Sequence, residues 1–233
     1  MADRLADMSW PDVPDDALVL VPLGSTEQHG PHLPLSTDTV IARAVARRAA
    51  GLVPGTALVA PAIPYGASGE HADFPGTVSI GHEALRHVLV ETVRSLALWA
   101  GRVAFVNGHG GNIETLKAAV AVLRREGHDV GWAGCDVPGG DAHAGATETS
   151  ILLHLAPEQV RMERMAPGEP RPLAVILPRL RAAGVRAMSP TGVLGDPTGA
   201  SETQGRLLIR ELVSDVAGRV AAWHVDDQGR LVR

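Results

Sequence analysis

The 233-residue chain has a single cysteine, Cys135, and few aromatic side chains, which make up 3% of the sequence. One cysteine excludes an internal disulfide and any zinc site built from several thiolates. A metal ion in this protein must therefore be held by histidine and carboxylate side chains. Ten histidines and 26 acidic residues are available for that purpose.

Long apolar runs and clusters of positive charge are also missing. No stretch approaches the roughly 18 apolar residues that a membrane-spanning helix requires, and residues 1–17 carry five aspartates without the apolar core of a signal peptide. The net charge is −5, and the 21 basic residues form no patch. We therefore expect a cytoplasmic protein that has neither nucleic acid nor membrane as a partner.

Short apolar runs alternate with longer amphipathic segments, a pattern typical of a largely parallel sheet covered by helices on both faces. The predicted strands are 17–23, 57–60, 102–106 and 130–133. The predicted helices are 38–50, 82–100, 112–126, 147–155 and, behind a Ser201–Gln204 capping box, 201–223. Residues 161–178 contain four prolines and are predicted to be an irregular connection.

Potential ligands collect in the loops after three of the strands, where parallel α/β sheets place their active sites. Histidine and carboxylate side chains follow the first, third and fourth predicted strands. They are Glu27, His29, Asp38, His109, His143 and Glu148. Glu27 and His29 are two residues apart, so an extended backbone would point both side chains to the same side.

Several of these residues also have an ordinary structural explanation or another possible role. Asp38 and Glu148 stand in the first turn of predicted helices, which the helix dipole favours, and His29 could be a hydrogen-bonded loop histidine. The glycine-rich turn around His109 could cradle a phosphate, although it matches neither GxxxxGK[ST] nor GxGxxG. Together with Glu27, however, they match the donors that two divalent ions sharing one carboxylate would need. Nitrogen and oxygen donors without thiolate suit Zn, Mn or Fe(II).

Two further glycine-rich stretches could border such a site. Residues 65–79 contain Ser68, Glu70 and His71, and on their own could be only a structured surface loop. Residues 189–200 (SPTGVLGDPTGA) could be a surface connection or a rim over the pocket.

Four stretches of the sequence resemble the creatininase family of metal-dependent amidohydrolases, and they occur in the family's order: GSTEQHGPHLPLSTD, GEHADFPGTVS, NGHGGN and HAGATETS. The resemblance implies one domain over 1–233, a three-layer αβα sandwich with a largely parallel sheet, assembled as a homo-oligomer. It also implies two divalent ions per chain, Zn or Fe(II), with Mn as another option. In the family pattern Asp38 bridges the ions, Glu27 and His109 complete one site, and His29 and Glu148 the other.

The resemblance further implies hydrolysis of an amide C–N bond, with His143 as the catalytic histidine. The enzyme that gives the family its name carries bulky or acidic residues at four positions that are glycine here: Gly110, Gly111, Gly139 and Gly140. We therefore expect a wider pocket that admits a larger amide.

The general base is left open by the sequence, because Gly111 replaces the family's glutamate. Glu70 or His71 could take that role, or no separate base is needed. Ser68 and His71 are further candidate substrate-binding residues in the same loop.

Within the family, the chain looks most like peptidases that cut a modified precursor peptide near its C-terminus and release a core derived from a Val-Tyr pair. The stretches that carry this likeness are YGASGEH, VNGHGGN, GGDAHAGATETS and TGVLGDPTGA. A modified precursor peptide is therefore the expected substrate. The alternative is a relative that hydrolyses a small cyclic amide or a formamide.

Overall fold

A computed structural model describes residues 5–233 of the chain. Four parallel strands form the central sheet in the order β2-β1-β3-β4. Their bounds are Ala17–Leu23 (β1), Ala57–Val59 (β2), Ala100–Asn107 (β3) and Val130–Gly134 (β4). The α-helices are Thr37–Ala50 (α1), Gly81–Leu96 (α2), Ile113–Arg125 (α3), Ala146–Leu155 (α4), Leu173–Ala183 (α5) and Glu202–Ala222 (α6). A short antiparallel pair, His224–Val225 (β5) and Leu231–Val232 (β6), ends the chain.

The sheet is the middle layer of the molecule, because successive strand side chains point to opposite faces. Leu20 and Ala104 belong to the apolar core shared with α1, α4 and α6. Val19 and Phe105 belong to a second core shared with α2 and α3. The predicted three-layer αβα sandwich with a parallel sheet is confirmed.

The predicted strands and most of the predicted helices lie where their patterns placed them, with small differences at the ends. Helix α2 stops at Leu96, four residues before its predicted end, and β3 begins at Ala100. Helix α3 ends in a Schellman motif: Gly127, with φ +92°, donates to Arg124 O, and His128 donates to Leu123 O.

The capping box predicted at the start of α6 is half formed. Ser201 Oγ accepts a hydrogen bond from Gln204 N, as an N-cap should. The Ser201 backbone N–H donates to Ser150 Oγ of α4 at 3.1 Å, so a neighbouring helix supplies the second half of the cap.

The irregular connection predicted for 161–178 is wrong in its last third, where α5 begins at Leu173 and contains Pro178. Proline is unfavourable inside a helix, and the four prolines of this stretch hid its helical spacing. Ile176 and Leu180 overcome that cost by packing on Phe74 and Val185 in a third apolar cluster.

The candidate ligands stand at the carboxyl edge of the sheet because the loops after β1, β3 and β4 all leave that edge. Two ligands lie in first helical turns, Asp38 in α1 and Glu148 in α4. Within 5–233, none of the helices combines the length and apolarity needed to cross a bilayer.

Candidate active site

The five candidate metal ligands converge on one cluster, in which all but the partly exposed Glu148 are buried. His29 Nε2 lies 2.9 Å from Asp38 Oδ1 and 3.9 Å from Glu148 Oε2. His109 Nδ1 lies 3.2 Å from Asp38 Oδ2, and its Nε2 lies 3.3 Å from Glu27 Oε2. Asp38 therefore stands between the two histidines, with one carboxylate oxygen facing each ring.

Glu27 is the clearest sign that this cluster is built for a cation. Its side chain is completely buried, and neither carboxylate oxygen has a hydrogen-bond partner. The nearest ring nitrogens, of His71 and His109, each lie 3.3 Å from one of the oxygens. A buried carboxylate without partners is costly, and a divalent ion is the kind of group that would satisfy it. Glu27, Asp38 and His109 have donor atoms close enough to share one ion.

Burial and the close contacts between carboxylates and histidines shift the pKa values of the cluster. Burial raises the pKa of Glu27 to about 7, although His109 acts in the opposite direction. Burial works against a charged His29, but Asp38 and the other carboxylates outweigh it and raise the pKa of His29 to about 10. The pKa of His109 rises to about 10 in the same way, against burial, through Glu27 and Asp38. Protons on these side chains would therefore compete with a metal ion for the same atoms.

Hydrogen bonds from the surrounding loops fix the orientation of the ligands, as the groups that contact metal ligands commonly do. Ser25 Oγ donates to Asp38 Oδ2 at 2.7 Å. His29 Nδ1 lies 3.1 Å from the Glu27 carbonyl oxygen, which leaves Nε2 to face the carboxylates. Glu148 Oε2 accepts a hydrogen bond from Ala144 N at 2.7 Å.

His143 lies beside this cluster, as predicted for a catalytic group. Its donor atoms are close enough to those of His29 and Glu148 to share an ion, and also to those of Glu27 and His71. Its Nδ1 lies 3.8 Å from Glu27 Oε1, and its Nε2 lies 2.7 Å from the Gln28 carbonyl oxygen. The geometry therefore allows His143 either to contact a reacting group or to bind an ion.

A pocket of about 640 Å³ opens over the cluster. Its polar lining includes Glu70, His71 and His143 as well as Glu27 and His109 of the cluster. Its apolar lining comes mainly from α5, which also contributes Arg181, and from the segments that flank the site: Ile113, Leu173, Leu177, Leu180, Val185 and Leu194. Its lining, among the described residues, contains no Trp, Tyr or Phe.

Only some of the predicted substrate-binding residues line the pocket. Gly110, Gly111 and His71 line the pocket, whereas Ser68, Gly139 and Gly140 do not. Ser68 is fully buried, with its Oγ 3.5 Å from His109 Nε2. A side chain at Gly140 would meet Thr147 Oγ1 at 2.9 Å, near the start of α4, and nothing approaches one at Gly139.

The Glu70 carboxylate occupies space that a side chain at position 111 would need. A Cβ at Gly111 would lie 2.4 Å from His109 Nε2 and 2.8 Å from Glu70 Oε1. The Glu70 carboxylate, about one quarter exposed, therefore stands where a side chain at position 111 would start, 3.8 Å from His109 Nε2.

The 189–200 segment is neither a plain surface connection nor a detached rim. Val193 and Leu194 are buried, and Leu194 exchanges backbone hydrogen bonds with His143. Gly192, with φ +84°, leaves room for the Gln28 amide, which a Cβ there would overlap. This segment therefore belongs to the wall behind the catalytic histidine.

Sequence reasoning missed two contributors to the site. The first is α5, whose apolar spacing at 173, 176, 177 and 180 was visible but was masked by Pro178. The second is Gln28, which lies within 3.2 Å of polar atoms from His71, His143 and Gly192. Its place between Glu27 and His29 was the only sequence signal.

Comparison with known proteins gives a consistent picture. The family model for creatininase, described as creatinine amidohydrolase, matches residues 6–220. A mycofactocin precursor peptide peptidase from Mycobacterium ulcerans (strain Agy99) is 54% identical over 230 residues, covering 96% of this chain and 90% of that protein. The protein of the same name from Mycobacterium tuberculosis (strain H37Rv) is 55% identical over 221 residues, covering 91% and 88%.

Solved structures agree with the fold and with metal binding in similar proteins. A structure named creatininase Mn has a TM-score of 0.79 and 26% identity, covering 95% of this chain and 98% of its own. A mutant creatininase of the Zn-Zn type has a TM-score of 0.77 at 26% identity, with the same coverage.

Proposed function

Since the chain belongs to the creatininase family, we propose that it is a metal-dependent peptidase that hydrolyses a mycofactocin precursor peptide. The observation that carries this proposal is the identity of 54–55% with mycofactocin precursor peptide peptidases across more than 90% of the chain. We further propose that the substrate is the modified peptide, cut near its C-terminus to release the Val-Tyr-derived core.

We propose two divalent ions per chain, Zn or Fe(II), with Mn as another option. Asp38 would bridge them, Glu27 and His109 would complete one site, and His29 and Glu148 the other. The unpartnered oxygens of Glu27 and the all-nitrogen and oxygen donor set support this assignment. Bound there, divalent ions lower the pKa of a coordinated water and polarise the scissile carbonyl.

The chain's own residues would handle the protons of the reaction. Water adds its oxygen to the carbonyl carbon, the C–N bond breaks, and the leaving nitrogen gains a proton. Glu70, at the pocket wall, would accept a hydrogen bond from the attacking water and so orient it. His143 would take up one proton and return it to the leaving nitrogen.

The shape of the pocket favours a peptide over a small ring. About 640 Å³ opens over the cluster, and α5 covers one side of it with leucine side chains. A pocket lined by both polar and apolar side chains suits a substrate that presents an amide together with aliphatic or aromatic groups. We propose that the core part of the peptide lies against Leu173, Leu177 and Leu180.

A homo-oligomer is also proposed, on the family resemblance and on several large apolar side chains that the single chain leaves exposed. Trp10 is 87% exposed, Leu98 86% and Leu52 62%. Sedimentation velocity of the metal-loaded protein tests it, and a single monomeric species would contradict it. The cytoplasmic location stays a prediction.

Peptide cleavage followed by mass spectrometry tests the function directly. The metal-loaded protein should cut the modified precursor peptide and release the terminal core, and creatinine should be turned over far more slowly. His143→Ala should lower turnover about 100-fold or more, the typical contribution of an acid–base residue. His154→Ala is the matched control, because His154 on α4 pairs with the exposed Glu202, away from the pocket lining, and its loss should leave turnover unchanged. Rapid creatinine hydrolysis without peptide cleavage would overturn the proposal.

A further inference from the structure

The side chain of Gln28 lies at the centre of a hydrogen-bond network that links two pocket histidines. Its Nε2 is 2.8 Å from His71 Nδ1, 3.0 Å from His143 Nε2 and 3.2 Å from the Gly192 carbonyl oxygen. Its Oε1 accepts a hydrogen bond from Gly30 N at 2.8 Å. Gln28 is 5% exposed, so water does not replace these partners.

Two backbone groups determine which end of the amide is nitrogen. The Gly30 N–H can only donate, so the atom facing it is oxygen. The Gly192 carbonyl can only accept, so the atom facing it is nitrogen. The orientation of Gln28 therefore does not depend on either histidine.

This orientation fixes the tautomer of His71. The Gln28 NH₂ group has no lone pair to offer, so His71 Nδ1 must accept its hydrogen bond and carry no proton. A neutral His71 then carries its proton on Nε2. That atom points into the site, 3.3 Å from Glu27 Oε1, without forming a hydrogen bond to it.

The same count of protons gives His143 the same Nε2–H tautomer, but the ring is turned so that its lone pair, and not its N–H, faces the cluster. The two Gln28 amide protons are used by His71 Nδ1 and the Gly192 carbonyl, so none is left for His143. His143 Nε2 therefore donates to the Gln28 carbonyl oxygen at 2.7 Å. Its Nδ1 lone pair faces the cluster, 3.8 Å from Glu27 Oε1. A histidine in this state accepts a proton before it can donate one.

We infer that His71 is a catalytic hydrogen-bond donor to the carbonyl oxygen of the scissile amide, and that Gln28 is the positioning residue that holds His71 in this role. The inference rests on the proposed function, since it names the group that would contact the substrate in that reaction. As water adds to the carbonyl carbon, the C=O electron pair moves to oxygen, and the His71 Nε2–H donates to that oxygen without transferring its proton. In this role His71 acts as a hydrogen-bond donor and is not one of the five proposed metal ligands.

The tautomer can be measured without substrate or metal. Long-range proton–nitrogen spectra of the metal-free protein with ¹⁵N-labelled histidine distinguish a proton on Nε2 from one on Nδ1. The His71 signals are identified by their loss in His71→Leu. We expect the Nε2–H form in the wild-type protein. Gln28→Glu should convert His71 to the Nδ1–H form, because a carboxylate at that position accepts a hydrogen bond.

Kinetics of the metal-loaded protein test the role in catalysis. Glutamine can present an N–H at about the position of the histidine Nε2, whereas leucine cannot. His71→Leu should lower kcat about 100-fold, the usual loss when one oxyanion donor is removed, with KM and metal content little changed. His71→Gln should recover most of that loss. His87→Leu, on an exposed face of α2, is the control and should have no effect.

Three results would overturn the assignment: an Nδ1–H tautomer in the wild-type protein, equal losses in His71→Gln and His71→Leu, or a metal content that falls in His71→Leu. If Gln28→Glu fails to fold, the two His71 variants still decide the question. Failure of the wild-type protein to cut the peptide would instead overturn the proposed function, and the spectra would still decide the tautomer.

Discussion

The cost of burying the Glu27 carboxylate is not offset by hydrogen bonds. Glu27 is fully buried and neither of its oxygens is hydrogen-bonded. Asp38, in contrast, has a histidine nitrogen near each oxygen: His29 Nε2 at 2.9 Å and His109 Nδ1 at 3.2 Å. The pKa values reflect this difference: burial raises that of Glu27 to about 7, while the two histidines hold that of Asp38 well below its usual range despite burial. In the absence of metal, Glu27 therefore opposes folding at a pH where it is ionised.

Glu27→Gln should lower metal content while leaving the metal-free protein equally or more stable. A carboxyl with a raised pKa binds more protons folded than unfolded, so its contribution to stability falls as pH rises from about 4.3, the unfolded value, to about 7. The melting temperature of the metal-free variant should therefore rise relative to wild type between pH 5 and 8. Differential scanning calorimetry measures it, with Glu83→Gln on the exposed face of α2 as the control. A variant less stable than wild type at pH 8 would contradict this.

Metal binding should release protons. His29 and His109 have pKa values raised to about 10, so at pH 7 each ring is protonated on both nitrogens. A metal ion that binds one of those nitrogens must displace its proton. Apparent affinity should therefore increase as pH rises from 6 to 9. Calorimetric titration in buffers of different ionisation enthalpy counts the protons, and a heat independent of the buffer would show that none is released.

At the scale of elements, the start of α4 is the part of the fold that places a ligand most directly. The Asp141 carboxylate accepts hydrogen bonds from Ala146 N and Thr147 N at 3.0 and 2.9 Å and from Thr147 Oγ1 at 2.7 Å. It thereby satisfies free N–H groups of the first turn, in which Glu148 stands. Asp141 was not among the residues singled out from the sequence, because nothing in its spacing distinguishes it from other loop aspartates.

Asp141→Ala should cost about 1–2 kcal/mol of stability, as the loss of a helix cap does, and should also weaken metal binding. Ser201→Ala removes the cap of α6, with a similar loss of stability, but α6 carries no ligand. Urea unfolding and metal titration of both variants separate the two effects. Equal metal affinity in the two variants would show that the cap of α4 does not position Glu148.

Sequence patterns predicted elements well where propensity and packing agree, and poorly where they conflict. Strand β1 lies at its predicted bounds because its apolar run is buried on both faces. Helix α5 was missed because Pro178 argues against a helix, and only the cluster with Phe74, Ile176 and Leu180 shows why it forms. Tertiary contacts of that kind are not visible in a local pattern.

Considered as a whole, the molecule brings together ligands that are far apart in sequence. Glu27 follows β1 and Glu148 follows β4, and both belong to the cluster because β1, β3 and β4 run parallel and end at one edge. The sequence predicted that the five candidate ligands collect at this edge, since each follows a strand that ends there, but it also placed Ser68, Gly139 and Gly140 in a pocket that they do not line. It could not predict the tautomers of His71 and His143, which depend on Gly30 and Gly192 holding the Gln28 amide.

Removing metal should therefore destabilise the entire domain and not only one loop. An ion present at about 100 times its dissociation constant stabilises the folded state by about 2.7 kcal/mol. For a domain of this size that corresponds to a melting temperature roughly 5–10 °C higher. Thermal unfolding with chelator and with added Zn measures the shift. If the melting temperature, followed by far-ultraviolet circular dichroism, is the same with chelator and with added Zn, the ions do not connect the elements as proposed.

The absence of Trp, Tyr and Phe from the pocket lining has a consequence for spectroscopy. The four tryptophans, Trp10, Trp99, Trp132 and Trp223, all lie away from the pocket, so their fluorescence reports on folding and not on occupancy. A substrate that brings its own phenol or indole would enter a site with no competing near-ultraviolet chromophore. A change in the near-ultraviolet absorption of that ring on binding, recorded as a difference spectrum against the separate components, then comes mainly from the substrate, because none of the four tryptophans lines the pocket.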